Sequence, residues 1–192
     1  IAVIGFSAGG HLAGCAATIS KNRPNAAILG YAALSKEFWD SFKPDGLKLP
    51  SPIQEVDNKT CPCFLFAARD DVMVPVSETV KFEMALSEHN ISFESHIYAY
   101  GSHGFSTGES YLIGGSICSR GPHWVQDSID WLKDVFGDFG EGEMTNPACA
   151  PKVIGDKEDY LSIDCTISHL KMQGSEAFSI LEPIFKQLNS IV

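Results

Sequence analysis

The first residue of the chain that could act in catalysis is Ser7, which lies in a G-x-S-x-G motif. The segment Gly5-Phe6-Ser7-Ala8-Gly9 follows an apolar run and precedes a stretch rich in Ala and Gly. A serine on a sharp turn between a strand and a helix projects its hydroxyl outward, where it can attack a carbonyl carbon. Small neighbours let the backbone bend and pack closely. The pattern predicts Ser7 as a nucleophile and the backbone N–H of Ala8 as an oxyanion donor. The alternative is a glycine-rich turn with an idle serine.

A histidine and an aspartate that could activate this serine come later in the chain. A hydroxyl is a weak nucleophile until a base removes its proton, and a catalytic imidazole needs a carboxylate to fix its tautomer. His103 lies between Ser102 and Gly104, just after an alternating apolar run, and Asp71 follows the apolar run 63–68. The sequence therefore predicts a triad of Ser7, Asp71 and His103, with Asp70 as the alternative carboxylate.

The other histidines have weaker contexts. His11 lies one turn into the helix that follows the serine and His96 lies within a strand, so both are predicted to be structural. No pattern supports a role in catalysis for the remaining three, His89, His123 and His169.

Alternating apolar segments supply the elements that must position the triad. Strands are predicted at 1–5, 26–32, 63–68 and 93–100, the first buried on both faces and the last nearer the sheet edge. Helices are predicted at about 8–20, 77–90 and 124–136. Strand–helix alternation of this kind favours a doubly wound, mostly parallel sheet.

Apolar spacing predicts how the two later helices pack. The helix 77–90 has Ser77 as its expected N-cap, with Val80, Met84 and Leu86–His89 in its apolar spacing. The helix 124–136 carries four apolar residues on one face, namely Trp124, Ile129, Leu132 and Phe136.

Two segments between these elements have open interpretations. The segment 35–60 is predicted to be irregular with one short helix, and its aromatic residues Phe38, Trp39 and Phe42 either line a pocket for substrate or pack as ordinary core. The glycine- and serine-rich segment 106–122 is either a flap beside His103 or a plain loop.

Composition narrows the class of protein. The 192 residues carry a net charge of −10, which argues against nucleic acid and anionic membranes as partners. The six cysteines are too sparse for a disulfide framework, and reduced, mostly buried thiols suit a cytoplasmic protein. Composition shifts near residue 137, so the expected domains are a catalytic domain at 1–136, a linker at 137–151 and a small helical appendage at 152–192.

Together these motifs resemble the α/β-hydrolase superfamily, and most of all its small esterases, which are acetyl-xylan-esterase-like or prolyl-oligopeptidase-like. The resemblance covers about residues 1–136, and its motifs are the elbow Gly5-Phe6-Ser7-Ala8-Gly9-Gly10, the acid loop Asp70-Asp71-Val72-Met73-Val74-Pro75 and the histidine loop Gly101-Ser102-His103-Gly104-Phe105. The order Ser, Asp, His is the order found in these enzymes. The spacing from Asp71 to Val74-Pro75 matches the acid loop of such relatives.

The resemblance implies a serine ester hydrolase that needs no cofactor and no metal and acts on small acyl esters, such as acetyl esters of carbohydrates. Relatives also have strands before the elbow strand and an HG-rich loop that gives a second oxyanion donor, and this chain contains neither. The chain is thus expected to be the carboxyl-terminal part of such a fold and, by itself, poorly active. The rival interpretations are a prolyl-oligopeptidase-like peptidase and a non-catalytic binding protein with the same fold.

Overall fold

The structure, a computed structural model, describes residues 1–42, 48–108 and 117–137, with only the backbone for Phe42. Over these ranges the chain forms a four-stranded sheet in the order β1-β2-β3-β4, and every neighbouring pair is parallel. The strands are β1 (Ala2–Phe6), β2 (Ala26–Gly30), β3 (Cys63–Ala68) and β4 (Phe93–Tyr98). The helices are α1 (Ala8–Thr18), α2 (Lys36–Phe42), α3 (Ser77–Glu88) and α4 (Trp124–Phe136), with short 3₁₀ turns at Pro52–Glu55 and Gly121–His123.

The two central strands, β2 and β3, are buried along their whole length. Successive side chains point to opposite faces of a strand. Leu29 and Leu65 pack with α1 and α3 on one face, whereas Ile28 and Phe64 pack with α4 on the other. Helices therefore cover both faces, and the predicted doubly wound parallel sheet is confirmed.

The first strand is more exposed than the sequence predicted. Ile4 has 52% of its surface exposed, and β1 pairs with β2 alone among the described strands. A β-branched run predicts burial only if elements cover both faces and both edges. No described strand adjoins the outer edge of β1, so the prediction of burial on both faces was wrong for these residues.

The packing face of α3 differs from the predicted one. Val80 and Met84 are 37% and 58% exposed, while Phe82 and Leu86 are fully buried. Leu86 packs as its spacing predicted, and the helix rests on the sheet through the stripe that contains Phe82, Leu86 and the buried Glu78.

Glu78 is satisfied in that buried position by backbone groups that follow β2. Its Oε2 accepts hydrogen bonds from the N–H groups of Leu34 (3.0 Å) and Ser35 (2.6 Å), and its Oε1 accepts one from the Ser35 hydroxyl (2.7 Å). The predicted cap was also wrong, since Ser77 is the first helical residue and Val76 precedes it without a side-chain cap.

The packing face of α4 follows its tryptophans. Trp124 is buried, and Leu132 and Phe136 pack against the same core, as their spacing predicted. Trp131, which was not assigned to this face, is buried with them. Ile129 is 43% exposed, which contradicts its predicted place on that face. Trp124 and Trp131 contact Phe66 and Phe64 of β3, and these ring contacts determine which face of α4 is buried.

Several predictions lie outside the described residues. These are the linker beyond residue 137, the appendage at 152–192, the residues 109–116 of the loop after His103, and the side chain of Phe42. Among the residues that are described, no helix has the length and apolar character needed to cross a membrane.

Candidate active site

Ser7 lies on a strained turn between β1 and α1. Its backbone has φ 54° and ψ −121°, a conformation that residues with a side chain rarely adopt. The turn is held because the Ser7 N–H donates to Gly30 O (3.0 Å) and the Ser7 carbonyl accepts from His11 N (3.1 Å). This geometry leaves the hydroxyl at the carboxyl end of the sheet.

The glycines around Ser7 are not equally constrained. A Cβ on Gly5 would lie 2.1 Å from Gly9 O, so a side chain there has no room. A Cβ on Gly9 would meet nothing within 4 Å. The predicted need for small flanking residues therefore holds at Gly5 and fails at Gly9, as far as the described residues go.

The structure brings Ser7, His103 and Asp71 into one hydrogen-bonded chain. His103 Nε2 lies 2.8 Å from Ser7 Oγ, and His103 Nδ1 lies 2.7 Å from Asp71 Oδ2. A carboxylate can only accept, so Nδ1 carries the imidazole proton and Nε2 is left free to accept one from the serine. The Asp71 side chain is 1% exposed, which keeps water away from this contact.

Asp71 is fixed by its own loop. Its second oxygen, Oδ1, accepts hydrogen bonds from the N–H groups of Met73 (2.8 Å) and Val74 (3.0 Å). The local turn therefore orients the carboxylate, and the oxygen that faces His103 has no competing partner among the described residues.

Asp70, the alternative carboxylate, points elsewhere. Its Oδ1 accepts a hydrogen bond from Gly101 N at 2.7 Å. Asp70 thus holds the start of the loop that carries His103, and Asp71 is the residue that contacts the ring.

Ala8 is the first residue of α1. The first N–H groups of a helix have no intrahelical acceptor and carry partial positive charge. The position of Ala8 directly after Ser7 is therefore one at which a backbone donor can face a developing oxyanion, as the motif predicted.

Tyr31 is a neighbour of the triad that sequence reasoning missed. Its ring meets the His103 ring edge to face, with centroids 5.1 Å apart, and its hydroxyl accepts a hydrogen bond from Ser106 N (3.3 Å). Burial raises the pKa of the Tyr31 phenol, and the Asp71 carboxylate raises it further, so the hydroxyl stays protonated near neutral pH. Its one sequence signal was its place directly after β2, at the end of the sheet where catalytic groups collect.

The remaining described histidines lie in structural settings. His11 is buried, with Nε2 3.1 Å from Pro50 O, and burial lowers its pKa. His96 Nε2 contacts Glu94 Oε1 (2.8 Å), and His89 Nδ1 lies 2.9 Å from Ala85 O at the end of α3. His123 belongs to a 3₁₀ turn, and His169 lies outside the described residues.

Trp39 packs on α1. Its indole N–H donates to Ala33 O (2.9 Å), and its ring lies 5.2 Å from the His11 ring. These contacts fit ordinary packing, one of its two predicted roles. The four described cysteines, Cys15, Cys61, Cys63 and Cys118, are free, and in the described ranges no cluster of three His, Cys, Asp or Glu side chains could hold a metal ion.

Comparison with known proteins gives relatives among hydrolases. An acetylxylan esterase from Xylanibacter ruminicola is 29% identical over 153 residues, which are 70% of this chain and 30% of that protein. The solved structure of MGS-M1, an alpha/beta hydrolase enzyme from a Medee basin deep-sea metagenome library, is 39% identical with a TM-score of 0.60 and covers 69% of this chain. An acetyl ester-xyloside bifunctional hydrolase from Caldicellulosiruptor lactoaceticus is 29% identical, with a TM-score of 0.60 over 72% of this chain.

The chain is shorter than these relatives. It covers 53% of the MGS-M1 chain and 58% of the bifunctional hydrolase, and the match spans 30% of the acetylxylan esterase. The predicted α/β-hydrolase fold is confirmed by the structural neighbours. The sequence profile of the dienelactone hydrolase family matches residues 1–136, which is most of the chain. The chain therefore belongs to the dienelactone hydrolase family.

Proposed function

We propose that the chain carries the catalytic centre of a serine carboxylic-ester hydrolase. The observation that supports this most directly is the continuous contact from Ser7 Oγ through the His103 ring to the buried Asp71 carboxylate. A serine hydrogen-bonded to an imidazole that a carboxylate orients is an activated nucleophile.

Each residue has a role in this reaction. Ser7 Oγ attacks the acyl carbon while its proton passes to His103 Nε2, and Asp71 stabilises the imidazolium that results. The Ala8 N–H donates to the oxyanion of the tetrahedral intermediate. His103 then protonates the departing alcohol, which leaves an acyl group on Ser7. Water that gives its proton to His103 attacks this acyl-serine, and the acid and the free serine are released.

The substrate class that we propose is a small acyl ester, with acetyl esters of carbohydrates as the first candidates. The basis is similarity to an acetylxylan esterase and to an acetyl ester-xyloside bifunctional hydrolase. Both support an acetylated sugar as the compound to test first.

The test compares the full-length protein with its Ser7→Ala and Ser20→Ala variants. We expect wild type to hydrolyse p-nitrophenyl acetate and acetylated xylan, and a fluorophosphonate to label Ser7. Ser7→Ala should lose kcat by roughly 10⁶-fold, since the nucleophile is gone. Ser20 follows α1 and its hydroxyl bonds Asn22 O, so Ser20→Ala controls for loss of any serine.

Two results would contradict the proposal. One is ester hydrolysis by Ser7→Ala at the wild-type rate. The other is a folded wild-type protein that neither turns over an ester nor takes the label, which would favour a non-catalytic binding protein. Hydrolysis of a prolyl amide in preference to the acetyl ester would point to a peptidase.

A further inference from the structure

The backbone of Ser106, in the loop that carries His103, is held on both sides by side chains from distant elements. Its N–H donates to the Tyr31 hydroxyl (3.3 Å), and its carbonyl accepts from Trp124 Nε1 (2.7 Å). Tyr31 follows the end of β2, and Trp124 begins α4. One peptide segment is thus fixed to two parts of the fold that are already rigid.

The segment is fixed in a conformation that it would not adopt freely. Four non-glycine residues in the described ranges have positive φ: Ser7, Tyr31, Asn90 and Ser106. Asn90 comes directly after His89, the C-cap of α3, where a left-handed residue is ordinary. Of the other three, Ser7 belongs to the triad, Tyr31 contacts the His103 ring, and Ser106 lies three positions after His103. Strain of this kind persists only where the surroundings over-determine the backbone, and it collects at functional sites.

The groups that hold Ser106 are buried among aromatic rings. Tyr31, Phe105 and Trp124 are all at most 5% exposed. The Tyr31 ring packs 5.1 Å from Phe105, and the Trp124 ring stacks on Phe66 at 4.4 Å. Ser106 itself is half-buried, so a lost partner would leave its N–H or its carbonyl without this hydrogen bond at a place that water reaches only in part.

The same rings reach the catalytic base. The edge of Tyr31 faces the His103 ring at a centroid distance of 5.1 Å. The Tyr31 hydroxyl and the Tyr31 ring therefore hold different parts of one loop, the backbone of Ser106 and the imidazole itself.

We propose that Tyr31 and Trp124 are positioning residues that keep His103 within hydrogen-bonding distance of Ser7 by clamping the backbone of Ser106. The inference rests on the proposed esterase function and adds two positioning residues, Tyr31 and Trp124, to its active site. The imidazole has to sit at 2.8 Å from Ser7 Oγ and 2.7 Å from Asp71 Oδ2 at once. A shift of the loop by about 1 Å would spoil both contacts, and such misplacement costs up to roughly 10²-fold in rate.

The test uses conservative variants of the full-length protein. Tyr31→Phe removes one hydroxyl and keeps the ring, and Trp124→Phe removes the indole N–H. Tyr98→Phe is the matched control, because the Tyr98 hydroxyl is buried in the same core, whereas the described partners of the Ser106 backbone are Tyr31 and Trp124. We measure kcat and KM on an acetyl ester, the rate at which a fluorophosphonate labels Ser7, and the midpoint of thermal unfolding.

We expect kcat and the labelling rate of Tyr31→Phe and Trp124→Phe to fall by roughly tenfold, an order below the full cost of misplacement, with KM within about twofold of wild type. Tyr98→Phe should keep both rates. A second readout is the downfield proton signal of the His103 Nδ1–H, which should broaden or vanish in Tyr31→Phe and persist in Tyr98→Phe.

The inference is overturned if folded Tyr31→Phe keeps kcat and the labelling rate within about twofold of wild type. It is overturned equally if Tyr98→Phe loses as much as Tyr31→Phe, or if only the unfolding midpoint changes. Should Trp124→Phe fail to fold, the Tyr31→Phe rates and proton signal decide alone. Failure of the esterase proposal is separate, since it would appear as a wild type that is neither active nor labelled.

Discussion

At the scale of single residues, Asp71 divides its two oxygens between two duties. Oδ2 faces His103 Nδ1, and Oδ1 receives the N–H groups of Met73 and Val74. An asparagine in this place would turn its carbonyl oxygen toward the two backbone donors. Its NH₂ group would then face His103 Nδ1, where a donor forces the ring into the other tautomer.

This division predicts the effect of Asp71→Asn. We expect the variant to fold normally and to lose kcat by roughly 10⁴-fold, because Nε2 then carries the proton and cannot accept one from Ser7. Steady-state kinetics on an acetyl ester measure the loss.

Asp70→Asn is the control for that prediction. Its amide oxygen can still accept from Gly101 N, so we expect less than about tenfold loss of kcat, far from the effect of a wrong tautomer. Equal losses in the two variants would show that the carboxylate next to His103 has no special role.

The triad could be predicted from sequence because each member sits in a local motif whose context has a physical reason. Ser7 follows a strand, and His103 stands among glycines after another. The Tyr31–Ser106 hydrogen bond joins residues 75 positions apart and has no local signature. The sequence places both near one end of the sheet, but only tertiary packing decides which side chains meet.

At the scale of elements, α1 packs so closely against the residues after β2 that its glycines differ in the space they leave for a side chain. A Cβ on Gly10 would lie 2.4 Å from the Ala32 Cβ, whereas one on Gly9 would be in open space. Neither has positive φ, so space alone separates them.

These two positions give a matched pair of stability predictions. Gly10→Ala should lower the free energy of unfolding by about 1–3 kcal/mol through overpacking. Gly9→Ala should raise it by about 0.5–1 kcal/mol, because alanine favours a helix more than glycine does. Denaturant titration of both variants measures the difference, and equal values would refute the close contact of α1 with Ala32.

The bounds of strands and helices were predicted well where the apolar pattern fitted only one type of secondary structure. The strand at 63–68 has the same bounds as the prediction, and the helix at 124–136 does too. Faces were predicted less well. The helix α3 buries Phe82 and Leu86 together with the carboxylate of Glu78, whose burial no apolar periodicity reveals, and leaves Val80 and Met84 exposed.

At the scale of the whole molecule, burial of His11 makes stability depend on pH. Burial lowers its pKa in the folded state, while in the unfolded chain it keeps the ordinary value of 6.5. As pH falls through 6.5, the unfolded chain binds a proton that the folded chain does not, so stability falls. Above that value both forms are neutral and the contribution is constant.

We therefore expect that lowering the pH from about 7.5 to about 5.5 reduces the thermal unfolding midpoint of wild type more than that of His11→Gln. These two pH values lie roughly one unit above and below the ordinary histidine pKa. The glutamine amide can still donate to Pro50 O but does not titrate. Identical pH dependence in wild type and His11→Gln would contradict the prediction.

The long chain distances within the site have a consequence for folding. Ser7 and His103 are 96 positions apart, and their contact exists only when β1 and β4 occupy the same sheet with two strands between them. Parallel strands need long crossovers, so such order forms late and cooperatively. A partly folded chain would present a serine without its base. A covalent serine probe is thus expected to label only those molecules in which the four described strands have assembled.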